Sequence, residues 1–337
     1  VILAMTPYPL PIDPLPAHRL DLARIAAASA CIAPEFLHSP QYECEPLSAA
    51  LGCAITLKVE TVNPIRSFKG RGAELLVAAA LEAEPSRPLV CASAGNWGQA
   101  VAWSCRRRGV PVVVWAARSA NPLKVERMRA LGADVRLEGD DFDGAKAAAR
   151  IWAAQSGARF LEDGLDVEAA EGAGTMAVEL TASGRIWDAA CLPLGNGALL
   201  TGNARWLKAA QPAIRVAGVV AEGAPAMRDS WLRGPGAGVV ETPGMRTIAD
   251  GIGVRVPIPE AVTDMHGLVD VVHAVADELL VEAMRLFHRH AGLVVEPAGA
   301  AGLAGVLAAR ADYAGTRIIV PVCGGNVDPA RIGEWLF

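Results

Sequence analysis

The sequence predicts an α/β protein whose parallel sheets are covered by helices on both faces. Three observations lead there. From about residue 50 onward, short β-branched runs alternate with Ala-rich amphipathic stretches, the pattern of strands joined by crossover helices. The most apolar runs, 110–117 and 318–323, fall well short of the roughly 20 residues a membrane helix needs and read as buried strands. Three loops rich in small and polar residues lie where such strands end, the usual place for ligands in α/β sheets.

The elements follow in order. The first 20 residues are Pro-rich and aperiodic, and 6–16 read as an extended arm suited to a subunit interface. Strands are expected at 89–93, 111–117, 134–137, 188–194, 214–220 and 317–322. Helices are expected at 97–108, 122–131, 141–156 with Asp141 as its cap, 168–181, 198–210, 276–290 and 297–310. The Gly- and Pro-rich stretch 234–253 is a long loop, and long loops in compact domains are often functional.

Composition excludes several classes. Of 337 residues 52% are apolar, enough for a large core, and the formal net charge is −5. That balance argues against a nucleic-acid protein, which carries a basic face. No basic segment followed by an apolar core opens the chain, so no signal peptide is expected. The seven cysteines are odd in number and show no Cys-x-x-Cys pair, which favours reduced thiols and a cytoplasmic location.

Each of the three loops has a chemical reading beside a plainer one. Residues 58–72 read Lys-Val-Glu-Thr-Val-Asn-Pro-Ile-Arg-Ser-Phe-Lys-Gly-Arg-Gly and place Lys69 just before an Ala-rich helix. The positive field of a helix N-terminus lowers an amine's pKa and helps it act as a nucleophile or base; an isolated lysine there is more often merely solvated. Ser93-Ala94-Gly95-Asn96-Trp97-Gly98 offers backbone N–H groups to a carboxylate, or is an ordinary strand-to-helix turn. Leu194-Gly195-Asn196-Gly197-Ala198-Leu199 can wrap a phosphate at a helix start. It is neither a P-loop nor a dinucleotide fingerprint, since no Gly-Lys-Ser/Thr follows and Leu200 stands where a third glycine would be. A phosphate cradle, an activatable lysine and a carboxylate turn suit an amino acid held on pyridoxal phosphate (PLP), one idea among several on spacing alone.

In residues 58–72 the chain resembles the tryptophan-synthase-β-like PLP enzymes of fold type II, especially the threonine/serine dehydratase branch, whose motif reads Lys-x-Glu-x-x-Asn-Pro-x-x-Ser-Phe-Lys-x-Arg-Gly. Residues 93–99, 192–199, 247–251, 294–299 and 323–328 resemble further motifs in the family's order, so the resemblance runs from about 47 to 328. It implies two α/β domains with the cofactor in the cleft between them, a large one of 1–83 and 161–337 and a small mobile one of 84–160. Lys69 would carry the cofactor as a Schiff base and later move the Cα proton, with Phe68 packed beside the ring. Asn96 would hydrogen-bond the cofactor's 3′ oxygen. Gly195, Asn196, Gly197, Ala198 and Leu199 would cradle its phosphate, and Cys323 would face the pyridine nitrogen. Ser93, Ala94, Gly95 and Trp97 would line the substrate carboxylate pocket. The implied activity is dehydration of a β-hydroxy amino acid to a 2-oxo acid and ammonia, in a homodimer, with a threonine-synthase-like replacement enzyme as the rival.

Several positions depart from that branch. Trp97 stands where a His is usual, Asn196 where a Gly is usual, and Ala94 where the family's racemases carry a serine, so racemisation is not expected. Glu222 matches one ligand of a divalent-metal site found in some relatives, but Arg228 falls at the second, and no metal is expected there. The chain also stops soon after Cys323, where the long biosynthetic dehydratases continue, so no regulatory domain is expected.

Overall fold

A computed structural model describes residues 9–337; the start of the expected arm, 6–8, lies outside the described residues. Ten strands form two sheets. β1 (Gln41–Glu43), β2 (Ala54–Val59), β7 (Ala189–Pro193), β8 (Arg215–Ala221), β9 (Val271–Val275) and β10 (Arg317–Val322) make the larger sheet. Its order is β1-β2-β10-β7-β8-β9, parallel except for β1, which pairs antiparallel with β2. β3 (Leu89–Ala92), β4 (Val112–Ala116), β5 (Asp134–Leu137) and β6 (Arg159–Phe160) make a second, all-parallel sheet in the order β5-β4-β3-β6. The fold is the α/β architecture of two parallel-sheet units that the sequence predicts.

Both sheets are covered on both faces, which is why their strands read as continuous apolar runs. In β8, Ala217, Val219 and Ala221 enter one core while Val216 and Val220 enter the opposite one. In the smaller sheet Leu89 and Cys91 face one core and Val90 and Ala92 the other. The side-chain alternation of a strand therefore splits each run between two helix layers.

Helix boundaries follow local chemistry. Asn121 accepts from the Leu123 N–H ahead of Pro122 at the first helical position, and Asp141 accepts from the Gly144 N–H at 2.8 Å, as N-caps do. Helix Asp277–Leu286 ends earlier than the expected 290, because Phe287–Ala291 widen into a π turn that stops at Gly292, with φ 67°. Helices Lys69–Ala83, Val167–Thr181 and Ala198–Ala210 pack backbone to backbone: a Cβ on Gly172 would lie 2.6 Å from the Arg71 carbonyl oxygen, and one on Gly174 2.7 Å from that of Gly202. The 234–253 stretch is irregular as far as the short turn Asp250–Ile252.

Candidate active site

A cleft of about 480 Å³ lies between the two sheets, at the carboxyl ends of β3, β7 and β10. All the residues singled out in the sequence reach it: Phe68, Lys69, Ser93, Ala94, Gly95, Asn96, Trp97, the turn 195–199 and Cys323.

Lys69 is the first residue of helix Lys69–Ala83. Its turn is tied to the end of β10, since the Phe68 N–H donates to the Cys323 carbonyl at 3.1 Å and Ser67 bridges Gly324. Asn63 holds the preceding loop, its Nδ2 donating to the Glu60 and Ser67 carbonyls at 2.7 and 3.1 Å. Beneath the turn Arg71 is fully buried and donates to Glu60 at 2.9 Å, Glu179 at 2.7 Å and Thr175 at 2.9 Å. Lys58 donates to Glu179 at 2.5 Å, and its burial pushes the ammonium pKa down. The Lys-x-Glu and Lys-x-Arg pieces of the sequence motif are thus the struts under Lys69. The Lys69 ammonium lies 4.7 Å from the centre of the Phe68 ring and 2.6 Å from Asp163 Oδ2.

The turn after β7 leads into helix Ala198–Ala210 through Gly197, whose φ of 101° suits glycine, which alone bears no Cβ. No side chain caps this helix, so its first N–H groups open into the cleft as an anion site. A Cβ on Gly195 would come 2.9 Å from the Gly251 carbonyl, so the close approach of 250–252 demands glycine there. Cys323 packs with Phe68, Met176 and Leu199 at the floor. Burial raises its thiol pKa far enough to keep it neutral.

Asn96 is engaged within the protein. Its Oδ1 accepts from Asn326 at 2.8 Å and its Nδ2 donates to Glu296 Oε1 at 2.6 Å, leaving one amide hydrogen free for a ligand. Glu296 is fully buried, and desolvation, with a smaller push from Asp250, raises its pKa to about 7. Trp97 spends its only side-chain donor on the Leu161 carbonyl, at 3.4 Å. Asp163, Glu296 and Lys124 also line the cleft. The sequence reading assigns roles to none of them, although Glu296 sits inside a quoted motif. Across the mouth, Lys124 pairs with Asp250, and Arg255 with Asp143 at 2.6 Å. Among the described residues no cluster of three or more His, Cys, Asp or Glu forms a metal site.

Two parallel-sheet units around a cleft that presents a lysine, an uncapped helix terminus and a buried thiol define a fold type II cofactor enzyme. The chain belongs to the pyridoxal-phosphate dependent enzyme family, whose model matches residues 32–324, and its cofactor is pyridoxal phosphate. It is 35% identical to an L-threonine ammonia-lyase of Thermotoga maritima over 84% of this chain and 69% of that one. Among solved structures it resembles a threonine deaminase isoform 2 from Solanum lycopersicum, with 26% identity, TM-score 0.84 and coverage of 92% and 86%. It also resembles maize serine racemase, with 28% identity, TM-score 0.84 and coverage of 93% and 97%.

Proposed function

We propose that the enzyme is an ammonia-lyase that eliminates water from a threonine- or serine-like β-hydroxy amino acid, giving a 2-oxo acid and ammonia. One observation carries the reading: Lys69 opens into the same cleft as the uncapped helix terminus at 197–199 and the carboxylate turn at 93–97, and Ala94 stands in that turn where a racemase would need a proton-bearing group. The relatedness to L-threonine ammonia-lyases supports it.

The residues fit the cofactor. The amine of Lys69 would bond its aldehyde carbon. Gly195, Asn196, Gly197, Ala198 and Leu199 would hold its phosphate, since the free N–H groups and dipole of an uncapped N-terminus favour an anion. The free amide hydrogen of Asn96 would meet its 3′ oxygen, and the neutral thiol of Cys323 its pyridine nitrogen. When bound, pyridoxal phosphate withdraws electron density from the substrate Cα, which makes loss of the Cα proton and of a β substituent feasible. Lys69, as a free amine, takes the Cα proton. The backbone of 93–97 orients the substrate carboxylate, and Phe68 and Leu199 exclude water. Residues 84–160 form a smaller unit that closes over the substrate.

The working assembly is a homodimer in the cytoplasm. The exposed Leu10 and Ile12 of the N-terminal arm and the seven free cysteines support this, and no described helix is long and apolar enough to cross a membrane. Light scattering on the purified protein tests the dimer.

The activity test is release of 2-oxo acid and ammonia from L- and D-serine, L-threonine, threo-3-hydroxyaspartate and 3-phenylserine, with O-phosphohomoserine as the control for the replacement reaction. Equal release of both products from a β-hydroxy acid, abolished in Lys69→Ala, is expected. Threonine and phosphate from O-phosphohomoserine, with silence elsewhere, would replace the lyase by a synthase.

A further inference from the structure

We propose that Asp163 is a second catalytic residue of this site: the acid that protonates the departing β-hydroxyl. The proposal rests on the dehydratase reading and adds a group to it. Asp163 is only 9% exposed and lines the cleft. Its Oδ2 lies 2.6 Å from Lys69 Nζ, while its Oδ1 is buried and has no partner among the described residues. The adjacent Glu162 is consumed by Lys146 at 2.5 Å and Arg150 at 2.6 Å, and among the described residues Asp163 pairs with Lys69 alone.

The loop carrying Asp163 is braced from several directions. Trp97 Nε1 donates to the Leu161 carbonyl at 3.4 Å. The Glu162 N–H donates to Asp166 at 2.7 Å. Arg19, itself held by Asp264 at 2.7 Å, donates to the Leu165 and Gly164 carbonyls at 2.6 and 3.1 Å. Gly164 has φ 93°, and a Cβ there would lie 2.9 Å from Asn196 Cβ, so the loop abuts the phosphate turn. The backbone on both sides of Asp163 is therefore held, and its side chain reaches Lys69.

The elimination balances around this pair. The Lys69 amine removes the Cα proton, and the electrons of that bond form Cα=Cβ. The Cβ–O bond breaks with its electron pair on oxygen. With Lys69 as the free amine, the single proton of the Lys69–Asp163 pair rests on Asp163, whose carboxyl gives that oxygen its proton, and water leaves. The proton gathered by Lys69 crosses the 2.6 Å to Asp163 and restores the acid.

The test compares wild type with Asp163→Asn, as holoenzymes, on the best β-hydroxy substrate and on β-chloro-L-alanine, whose chloride leaves without a proton. The variant is expected to lose turnover of the hydroxy substrate about 100-fold, the usual scale of acid catalysis. It should keep β-chloroalanine turnover within a few-fold, and Asp163→Glu should recover part of the loss. Pyridoxal phosphate affinity and the visible absorption band, read directly by titration of the apoprotein, should stay unchanged and report an intact site. Equal losses on both substrates would reduce Asp163 to a positioning group for Lys69, and no loss on either would make it a bystander; each overturns the proposal. Wild-type silence on every β-hydroxy acid beside β-chloroalanine turnover would instead sink the dehydratase reading, and the acid's task with it.

Discussion

Two sets of ion pairs flank the cleft, one beneath Lys69 and one across the mouth. Beneath, Arg71, Glu60, Glu179 and Lys58 are sealed from water, and each charge touches at least one opposite charge within 2.9 Å. At the mouth, Arg255 and Asp143 are about 30% exposed, and Asp250, the partner of Lys124, is more exposed still. The same chemistry serves opposite ends in the two places. Buried charges cannot exchange a partner for water, so the lower network holds Lys69 in one place. Half-solvated pairs break at little cost, so the upper pairs are free to part where the lower ones are not.

The largest effect is therefore expected below. Burial alone would lower the Arg71 pKa, yet Glu60 and Glu179 outweigh it and hold the guanidinium above its ordinary value. Arg71→Met leaves both carboxylates without their main cation. Removing one partner of a buried pair costs roughly 3–5 kcal/mol. Urea unfolding of the variant should show a loss of that order; a loss under about 1 kcal/mol would mean the network is far wetter than its burial implies.

Glu296 lies between the two regions, in contact with Asn96 and near the Lys124–Asp250 pair. Its pKa of about 7 in the folded chain stands above the ordinary carboxyl value of 4.5. The folded state thus keeps a proton that the unfolded chain releases earlier. The associated stability is full below about pH 4.5 and is lost as pH rises through about 7. Between those limits the loss amounts to about 3 kcal/mol. Glu296→Gln is neutral throughout, so the stability of wild type relative to this variant should fall from pH 5 to pH 8. Parallel melting-temperature curves for the two apoproteins over that range would contradict the assignment.

What could be read from the sequence follows the reach of each signal. Lys69, the 195–199 turn and Cys323 announce themselves within a few residues, because strand ends and glycine turns are local features. The strands β1, β2, β6 and β9 escaped, being two to six residues long and, in β1, β2 and β9, interrupted by polar side chains. Asp163 had no local signature. It meets Lys69 across 94 residues, and only the packing of 161–166 against Trp97 and Arg19 reveals it. Glu296 stood in a quoted motif, but its function in holding Asn96 depends on a contact 200 residues away. The same contact changes the expectation for Asn96, whose amide serves two protein neighbours before any ligand.

The smallest stability effect, and the sharpest test of the comparison, is at the mouth. Asp143→Asn removes the closer of the two carboxylates around Arg255, leaving Asp141 at 3.5 Å. Exposed pairs contribute about 0–1 kcal/mol, so unfolding should barely change. Asp143 belongs to helix Phe142–Ser156 and Arg255 to the loop after Asp250–Ile252, so in the proposed closure of 84–160 this pair helps to hold the cleft shut. Its loss favours the open form, which should raise the substrate KM several-fold while proton transfer at Lys69 in the closed complex is untouched. High salt should mimic the substitution in wild type and add little in the variant, since screening acts on partly solvated charges. A fall in kcat with KM unchanged would instead place Asp143 in the chemistry, and the contrast between a fixed floor and a releasable mouth would fail.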